Sequence, residues 1–501
     1  MHMKKVLLIG ATAVVVGGLL YYPTYRAPKA HEIIEQQLAN MNSKLTAENL
    51  GELKIQKHET DKDGSHVELE IELAIPEEYR MATTRESIVL TSVLDIDFGF
   101  LPTSKGFKSI HSTTTSPDIN GALAETGNLD GLTLTCDTTP ESKGYEAKCS
   151  TNALTLKNDK TQATDQEVGE ITLSESNIHL ITNDGDDKLS FDWTIPSFQI
   201  LDQGKALANI SNTKLTSTMP IDPEGKISVR QLLLGEAVID GQSSSSFSIE
   251  SISVTPPQNQ ETVEINNAII ASEGEVKDGL MSGFIKMDMP EMKGMPMDIK
   301  SLSYGATLDK MDANFFMAVQ KAYDDYQAQI QPNQQEILDQ AASFLAAGPQ
   351  IGFNVDLAQH SGDDLTVKAN LKINESDIET AKQILTSLNP SRMAANENLA
   401  LFLQNGEFTL DAKADQALAE MLAATVTSGP YGGGADPEAQ RQAAAQGLAM
   451  LEMFGVIARN EDGFTAQFEA NDKGVMVNGQ DFSPMLGLPA RQASTQTQQT
   501  P

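Results

Sequence analysis

Six methionines lie within residues 281–297, a run whose sequence is MSGFIKMDMPEMKGMPM. Thioether sulfur is a soft ligand that suits Cu(I), so a methionine cluster of this density is a candidate copper site. The candidate ligands are Met287, Met289, Met292, Met295 and Met297. Methionine is also a flexible filler of adaptable apolar contacts, and Pro290 and Pro296 favour a loop or a sheet edge over a packed helix. We therefore predict a loop or partner-contact surface here, with Cu(I) binding as the alternative.

The chain has two cysteines, Cys136 and Cys149, separated by a turn sequence. If Ser142 and Lys143 form the tip of a two-residue hairpin, the antiparallel register places the two cysteines directly opposite each other. A disulfide there would fit an oxidising compartment and would close a short loop worth about 3 kcal/mol. Two independent buried thiols are the alternative.

The seven histidines show no spacing typical of a zinc enzyme. None lie three to five residues apart, and the pattern H-E-x-x-H does not occur. A catalytic zinc site therefore has little support. His58 and His66 could meet across a hairpin, but we interpret His58 as a solvated strand residue.

Other catalytic patterns are also missing from the sequence. There is no phosphate-binding G-x-x-x-x-G-K-[ST] loop and no G-x-S-x-G nucleophile elbow. Acidic clusters at Asp61/Asp63 and at 184–187 lack the glutamate of a calcium loop, so we assign them to turns. Paired carboxylates that cleave glycan or peptide stay open as an alternative, because such pairing is spatial. We predict no catalytic residue and no cofactor.

An uncharged run from Val6 to Tyr22 decides the expected compartment. It follows Lys4 and Lys5 and ends at Pro23. As a helix it would reach roughly 25 Å, the short end of what spans a hydrocarbon core of about 30 Å. A cleaved signal peptide is the alternative, but no small-residue cleavage pattern follows the run. Both interpretations place residues 27–501 outside the cytoplasm.

The charge of the chain argues against nucleic acid as a partner. Thirty-six basic residues face 69 acidic ones, for a net charge of −33. Such a body repels phosphate backbones and anionic lipid headgroups. Because the acidic residues are spread along the chain, we interpret them as a solubility feature.

Apolar and polar residues alternate through the first half of the chain. One such series is Val67, Leu69, Ile71, Leu73 and Ile75, and the same period recurs as far as Phe247 and Ile249. Alternation predicts antiparallel strands with one buried and one solvated face. About 220 residues of this pattern predict a large meander or a curved sheet, whose apolar face needs a cover.

Helical periodicity enters mainly after residue 311. We predict helices around 315–330, 337–347, 374–388, 414–427 and 437–457, with strands between them. The predicted fold class is α+β. We expect a cytoplasmic start and anchor over residues 1–26, a β-rich domain over 27–300, an α+β domain over 301–488 and a disordered tail over 489–501.

Several segments resemble the YdgA-like family of bacterial envelope proteins. They are LSYGATL (302–308), FNVDLAQHSGDDLTVKANLKIN (353–374) and NDKGVMVNGQDF (471–482). The resemblance implies a single-pass inner-membrane protein with its bulk in the periplasm, and self-association is one expectation. It supplies no catalytic residues.

We therefore expect a non-enzymatic envelope-maintenance protein, anchored by Val6–Tyr22. It would act as an interaction scaffold for another envelope protein, or through an apolar groove that holds lipid, because a long one-sided sheet can cradle acyl chains. A carboxylate-dependent periplasmic hydrolase and a Cu(I)-handling protein are the alternatives.

Overall fold

A computed structural model describes most of the chain between residues 30 and 488. The described residues are 30–47, 51–74, 87–98, 107–116, 128–129, 132–141, 144–157, 169–183, 188–202, 205–222, 239–255, 262–294, 299–327, 331, 333–387, 396–420, 423 and 437–488. The predicted anchor Val6–Tyr22 and the predicted tail 489–501 lie outside these residues. No helix within the described part of the chain is both long and apolar enough to cross a membrane.

The chain forms two compact units. The first comprises residues 1–219 and 246–263, and the second comprises 220–245 and 264–501. The division therefore falls near residue 264, whereas the sequence suggested residue 300. The physical reason is strand pairing, because the strands between 264 and 312 pair with one another and then with the strand that begins at Gln350.

Among its described residues, the first unit consists of one helix and a long run of antiparallel strands. Its elements are α1 (Ala30–Ala47), β1 (Gly51–Thr60), β2 (Gly64–Ala74), β3 (Ser87–Asp97), β4 (Ser109–Ser116), β5 (Asn128–Leu129), β6 (Leu132–Glu141), β7 (Gly144–Thr151), β8 (Leu154–Lys157), β9 (Gly169–Leu173), β10 (Ser176–Asn183) and β11 (Lys188–Asp202). Strands β12 (Lys205–Pro220) and β13 (Gly241–Val254) contain the boundary between the units.

Pairing in the first unit runs mostly from each strand to the next along the chain. β1, β2, β3 and β4 pair in sequence, then β4 with β6, β6 with β7, β7 with β10 and β10 with β11. The short strands β5, β8 and β9 continue this order, and β9 pairs with the second half of β11. The predicted antiparallel meander is confirmed.

One face of this sheet is buried by α1. Ile34 and Leu38 of the helix are 0% and 1% exposed and pack with Val67, Leu69 and Leu94 of the sheet. Each buried strand residue alternates with a polar one, because successive side chains of a strand point to opposite faces. The side chain of Asn42 also ties α1 to β1, since its Oδ1 accepts a hydrogen bond of 2.7 Å from the backbone N–H of Leu53.

The predicted cysteine register is correct. Cys136 of β6 lies directly opposite Cys149 of β7, and a disulfide joins their sulfur atoms. The pair lies on the buried face of the sheet with Leu134 and Ile178, and the side chain of Trp193 packs against this cluster.

The second unit combines further antiparallel strands of the sheet with helices. Its elements are β14 (Val263–Lys277), β15 (Leu280–Met289), β16 (Glu291–Lys293), β17 (Ile299–Asp312), α2 (Ala313–Gln327), α3 (Gln334–Ala346), β18 (Gln350–Gln359), β19 (Asp364–Ile373), α4 (Ile378–Ser387), α5 (Asn396–Asn405), β20 (Gly406–Asp415), α6 (Pro437–Met453), β21 (Ala458–Arg459), β22 (Gly463–Asn471), β23 (Gly474–Val477) and β24 (Gln480–Asp481). Strands pair in the order β14, β15, β17, β18, β19, β20, β22, β23 and β24.

Local sequence explains how these helices begin and end. Asn333 caps α3, because its side chain accepts a hydrogen bond from the N–H of Glu336. Gly348 follows the end of the same helix with a left-handed φ of 72°, which favours glycine. Asp377 accepts a 2.7 Å hydrogen bond from the N–H of Thr380, so it caps α4 and is not a residue of its first turn.

Candidate functional site

The sheet of the second unit has one apolar face that runs across seven strands. Direct cross-strand partners share a face, so each row of partners can be followed from strand to strand. One row comprises Ile270, Met287, Tyr304, Val355, Val367, Ala412 and Ala466. The next row comprises Ile285, Ala306, Phe353, Ala369, Leu410 and Phe468. We call these two rows the apolar strip; none of its side chains is charged.

The two sides of the strip are covered, while part of the strip is exposed. On one side Met289, Leu302 and Leu357 pack with Leu418. On the other, Phe408 packs with Leu403 of α5, among other residues. Between them, Ile285 is 46% exposed, Ile270 42%, Phe353 40% and Tyr304 38%. Exposed apolar side chains concentrated on one surface are typical of a binding site.

The opposite face of the same sheet is mostly polar, although Ile269 and Phe284 are exposed on it. The row that alternates with the strip contains Lys286, Asn354, Lys368, Asp411 and Gln467. A shallow concavity of about 440 Å³ lies over this face and includes Lys368, Asp411 and Glu469 in its lining. The two faces of these strands therefore differ in polarity, an alternation that we predicted only for the first half of the chain.

The methionine run is a pair of strands, not the predicted loop. Residues 280–289 form β15 and residues 291–293 form β16, and both pair with β14. Met292 is 2% exposed in a core cluster, with Met289 packed against it, and Met287 belongs to the apolar strip. Met295 and Met297 lie outside the described residues. Met292 is buried among apolar side chains, so its role is packing, while Cu(I) binding by the other methionines stays a prediction.

A different set of candidate ligands joins α1 to β1 in the first unit. His31 and Glu35 lie one turn apart on α1, and this spacing puts both side chains on the same face of the helix. His31 Nε2 lies 3.3 Å from Glu35 Oε1, and His58 Nδ1 of β1 lies 3.6 Å from the same oxygen. The two imidazole rings stack with their centroids 4.0 Å apart. We call these three residues the His–Glu–His cluster.

Hydroxyl groups hold the other nitrogen of His58. Its Nε2 is 2.9 Å from Ser65 Oγ and 3.0 Å from Thr60 Oγ1. Thr60 Oγ1 is also 3.2 Å from His31 Nδ1. Burial, together with the nearby His31, lowers the pKa of His58 below its ordinary 6.5, although Glu35 acts in the opposite direction. The neutral ring is therefore the favoured form near pH 7.

The interpretation of His58 as a solvated strand residue is wrong, since its side chain is only 3% exposed. His58 is paired with Val67 and faces α1, whereas His66 is paired with Glu59 on the opposite face. The two histidines therefore do not meet. His66 instead belongs to a cross-strand row of charged and polar groups.

That row crosses eight strands of the first unit on its polar face. It comprises Glu59, His66, Asp95, His111, Asp137, Lys148, His179 and Asp192. His66 Nδ1 lies 2.6 Å from Asp95, and His111 Nδ1 lies 2.7 Å from Asp137. Acidic and basic side chains that lie opposite each other on neighbouring strands stabilise the pairing of those strands.

His66 should show a pKa above its ordinary 6.5. Hydrogen bonds to Asp95 and then to Glu68 raise the pKa. The contribution of His66 to stability is therefore fully present below about pH 6.5 and is lost as the pH rises through the folded-state pKa. We expect the Asp95→Asn variant to lower the pKa of His66 in an NMR titration, whereas Asp137→Asn, three strands away, should leave it unchanged. An identical pKa in both variants would contradict the assignment.

The acidic cluster around Asp61 is a turn, as predicted. Asp61 Oδ1 accepts hydrogen bonds from the N–H groups of Asp63 and Gly64, at 2.8 and 2.9 Å. These two bonds hold the pKa of Asp61 below its ordinary value. The second acidic cluster, at 184–187, lies outside the described residues.

Comparison with known families supplies one match. A family model described as a bacterial protein of unknown function, DUF945, covers residues 3–485. The chain belongs to this family. No curated protein and no solved structure matches the chain.

Sequence reasoning on this DUF945 protein missed the His–Glu–His cluster. A local signal existed, because His31 and Glu35 have the i, i+4 spacing of two ligands on one helix face. It was overlooked because the third member, His58, lies 27 residues further on and belongs to a strand. The apolar strip was not predicted either, because the alternating series that we identified in the sequence ends near residue 249.

Proposed function

We propose that this DUF945 protein is a non-enzymatic envelope protein, held at the inner membrane by Val6–Tyr22, whose periplasmic body binds a lipid acyl chain on the apolar strip. The observation that carries the proposal is the exposure of Ile285, Tyr304 and Phe353 at the centre of an otherwise packed apolar face. The YdgA-like resemblance and the disulfide between Cys136 and Cys149 support the compartment.

The chemistry of the strip favours a hydrocarbon chain. Its thirteen side chains include a single polar group, the hydroxyl of Tyr304, and the β14 partner of Ile285 at the border of the strip is Ser272. A surface of this kind offers apolar contact and almost no hydrogen bonds, so it suits a ligand segment that has no polar atoms of its own.

The width of the strip fits the same ligand. The exposed members of the strip lie on four neighbouring strands, which at a spacing of about 4.8 Å span about 14 Å. One leaflet of a bilayer contributes about half of a hydrocarbon core of about 30 Å. The hydrocarbon part of an acyl chain is therefore about as long as the exposed part of the strip is wide.

Phe353 and Phe284 provide a matched test. Both are phenylalanines, they are 40% and 36% exposed, and they lie on opposite faces of the sheet. The measurement is titration of the full-length protein in detergent with a fluorescent fatty acid. We expect Phe353→Asp to weaken binding about tenfold or more, which corresponds to about 1.4 kcal/mol, and Phe284→Asp to leave it unchanged.

Two results would contradict acyl-chain binding. One is wild-type protein that binds no fatty acid and carries no co-purified lipid in native mass spectrometry. The other is equal weakening by Phe353→Asp and Phe284→Asp, because only the first substitution places a charge on the apolar strip.

A further inference from the structure

We propose that the His–Glu–His cluster binds one Zn²⁺ ion, which fastens α1 to β1 in the first unit. Two imidazole nitrogens and one carboxylate oxygen are ligands that Zn²⁺ commonly uses, and three protein ligands leave its fourth position for water. The proposal is independent of the apolar strip, which lies in the other unit.

The three ligand atoms already lie close together. All are within 4.8 Å of one another, and Glu35 Oε1 is 3.3 Å from His31 Nε2 and 3.6 Å from His58 Nδ1. Ligands at about 2.0–2.1 Å from a tetrahedral ion are roughly 3.3 Å apart. Two of the three separations are therefore close to those of an occupied site.

His58 carries the observation that points to a ligand. Its side chain is 3% exposed, yet its Nδ1 has no hydrogen-bond partner among the described residues. The carboxylate of Glu35, 3.6 Å away, is too distant for a hydrogen bond, and native proteins rarely leave a buried polar atom without one. Nδ1 faces Glu35 and His31, which is the point where an ion would be coordinated by all three residues.

Hydroxyl groups around the cluster supply the outer contacts that a zinc site needs. Metal-binding imidazoles usually donate their second N–H to an oxygen, which fixes the ring and its tautomer. Thr60 Oγ1 lies within hydrogen-bond distance of His31 Nδ1 and of His58 Nε2, and Ser65 Oγ lies beside the latter as well. Each histidine therefore keeps one nitrogen on a hydroxyl and turns the other toward Glu35.

Binding requires one local movement. The two rings are nearly parallel, with an angle of 14° between their planes, whereas two imidazoles on one ion must converge. The side chain of His31 is 48% exposed at the start of α1, so it can rotate without disturbing the core. His58 is held by its hydroxyl partners and stays in place.

Calorimetric titration with ZnCl2 tests the proposal. The sample is the full-length protein in detergent, without a histidine tag and treated with EDTA beforehand. We expect one Zn²⁺ per chain, and a melting temperature that rises when Zn²⁺ is added. The His31→Ala variant should fold, because its side chain is half exposed, and should lose at least about tenfold in affinity together with the rise in melting temperature. The Glu35→Gln variant should behave in the same way.

His111→Ala is the matched control. His111 is also a half-exposed histidine of the first unit, with a side chain 49% exposed, but it pairs with Asp137 on the opposite face of the sheet. This variant should bind Zn²⁺ as the wild type does. Wild-type protein without a stoichiometric Zn²⁺ site would overturn the proposal, and so would equal affinity in His31→Ala and His111→Ala, since the ion would then lie elsewhere.

Discussion

Replacing Phe107 by alanine is expected to lower the free energy of unfolding of the first unit by about 3–5 kcal/mol. Phe107 is 0% exposed, and its ring stacks with that of Tyr145 at a centroid distance of 5.9 Å. Removing the ring takes away a large buried apolar surface and leaves a cavity that the surrounding strands cannot fully close.

The single tryptophan, Trp193, reports this transition, because it lies in β11 of the first unit. Urea unfolding followed by its fluorescence measures the change. The matched control is Ile181→Ala, since Ile181 is 38% exposed in the same sheet and should cost about 1 kcal/mol or less. Equal losses in the two variants would contradict the placement of Phe107 in the core.

Removing the disulfide is expected to cost the same unit about 3 kcal/mol. The double variant Cys136→Ala/Cys149→Ala opens a loop with a sequence separation of 13 residues, so the unfolded chain gains conformational entropy. The measurement is again urea unfolding by Trp193 fluorescence, which is well placed because Trp193 packs beside this pair.

A reducing agent provides the control for the disulfide. It should lower the unfolding midpoint of the wild-type protein and leave that of the double variant unchanged. Alkylation of thiols in acid-quenched cells tests the proposed compartment at the same time, because a periplasmic body keeps the pair oxidised. Two alkylated cysteines per chain in such cells would contradict both the bridge and the compartment.

Much of the fold could be predicted because the alternation of apolar and polar residues along a strand indicates which of its side chains are buried. The series from Val67 to Ile71 alternates in sequence, and its apolar members line the buried face of β2. The register of Cys136 against Cys149 also followed from sequence, since a short turn between two strands leaves little choice of pairing.

The methionine run shows where local reasoning failed. Pro290 suggested a loop, but a proline between two short strands interrupts a ladder without ending the sheet. Met292 is buried because residues from β17, β18 and the segment after β20 pack over it. Those neighbours are distant in sequence, so the burial of Met292 was not readable from the run itself.

The amino-acid sequence by itself determined the antiparallel strands of the first unit, the cysteine register, the strongly acidic charge and the positions of α2, α3, α4 and α6, but not that of α5. Each of these depends on residues that are close together along the chain. Only the tertiary structure decided which part of the apolar face stays exposed and that His58 meets His31 and Glu35. The physical reason is that the spacing of apolar residues along an element shows which of its faces is apolar. Which other element packs against that face depends on contacts between segments that are distant in sequence.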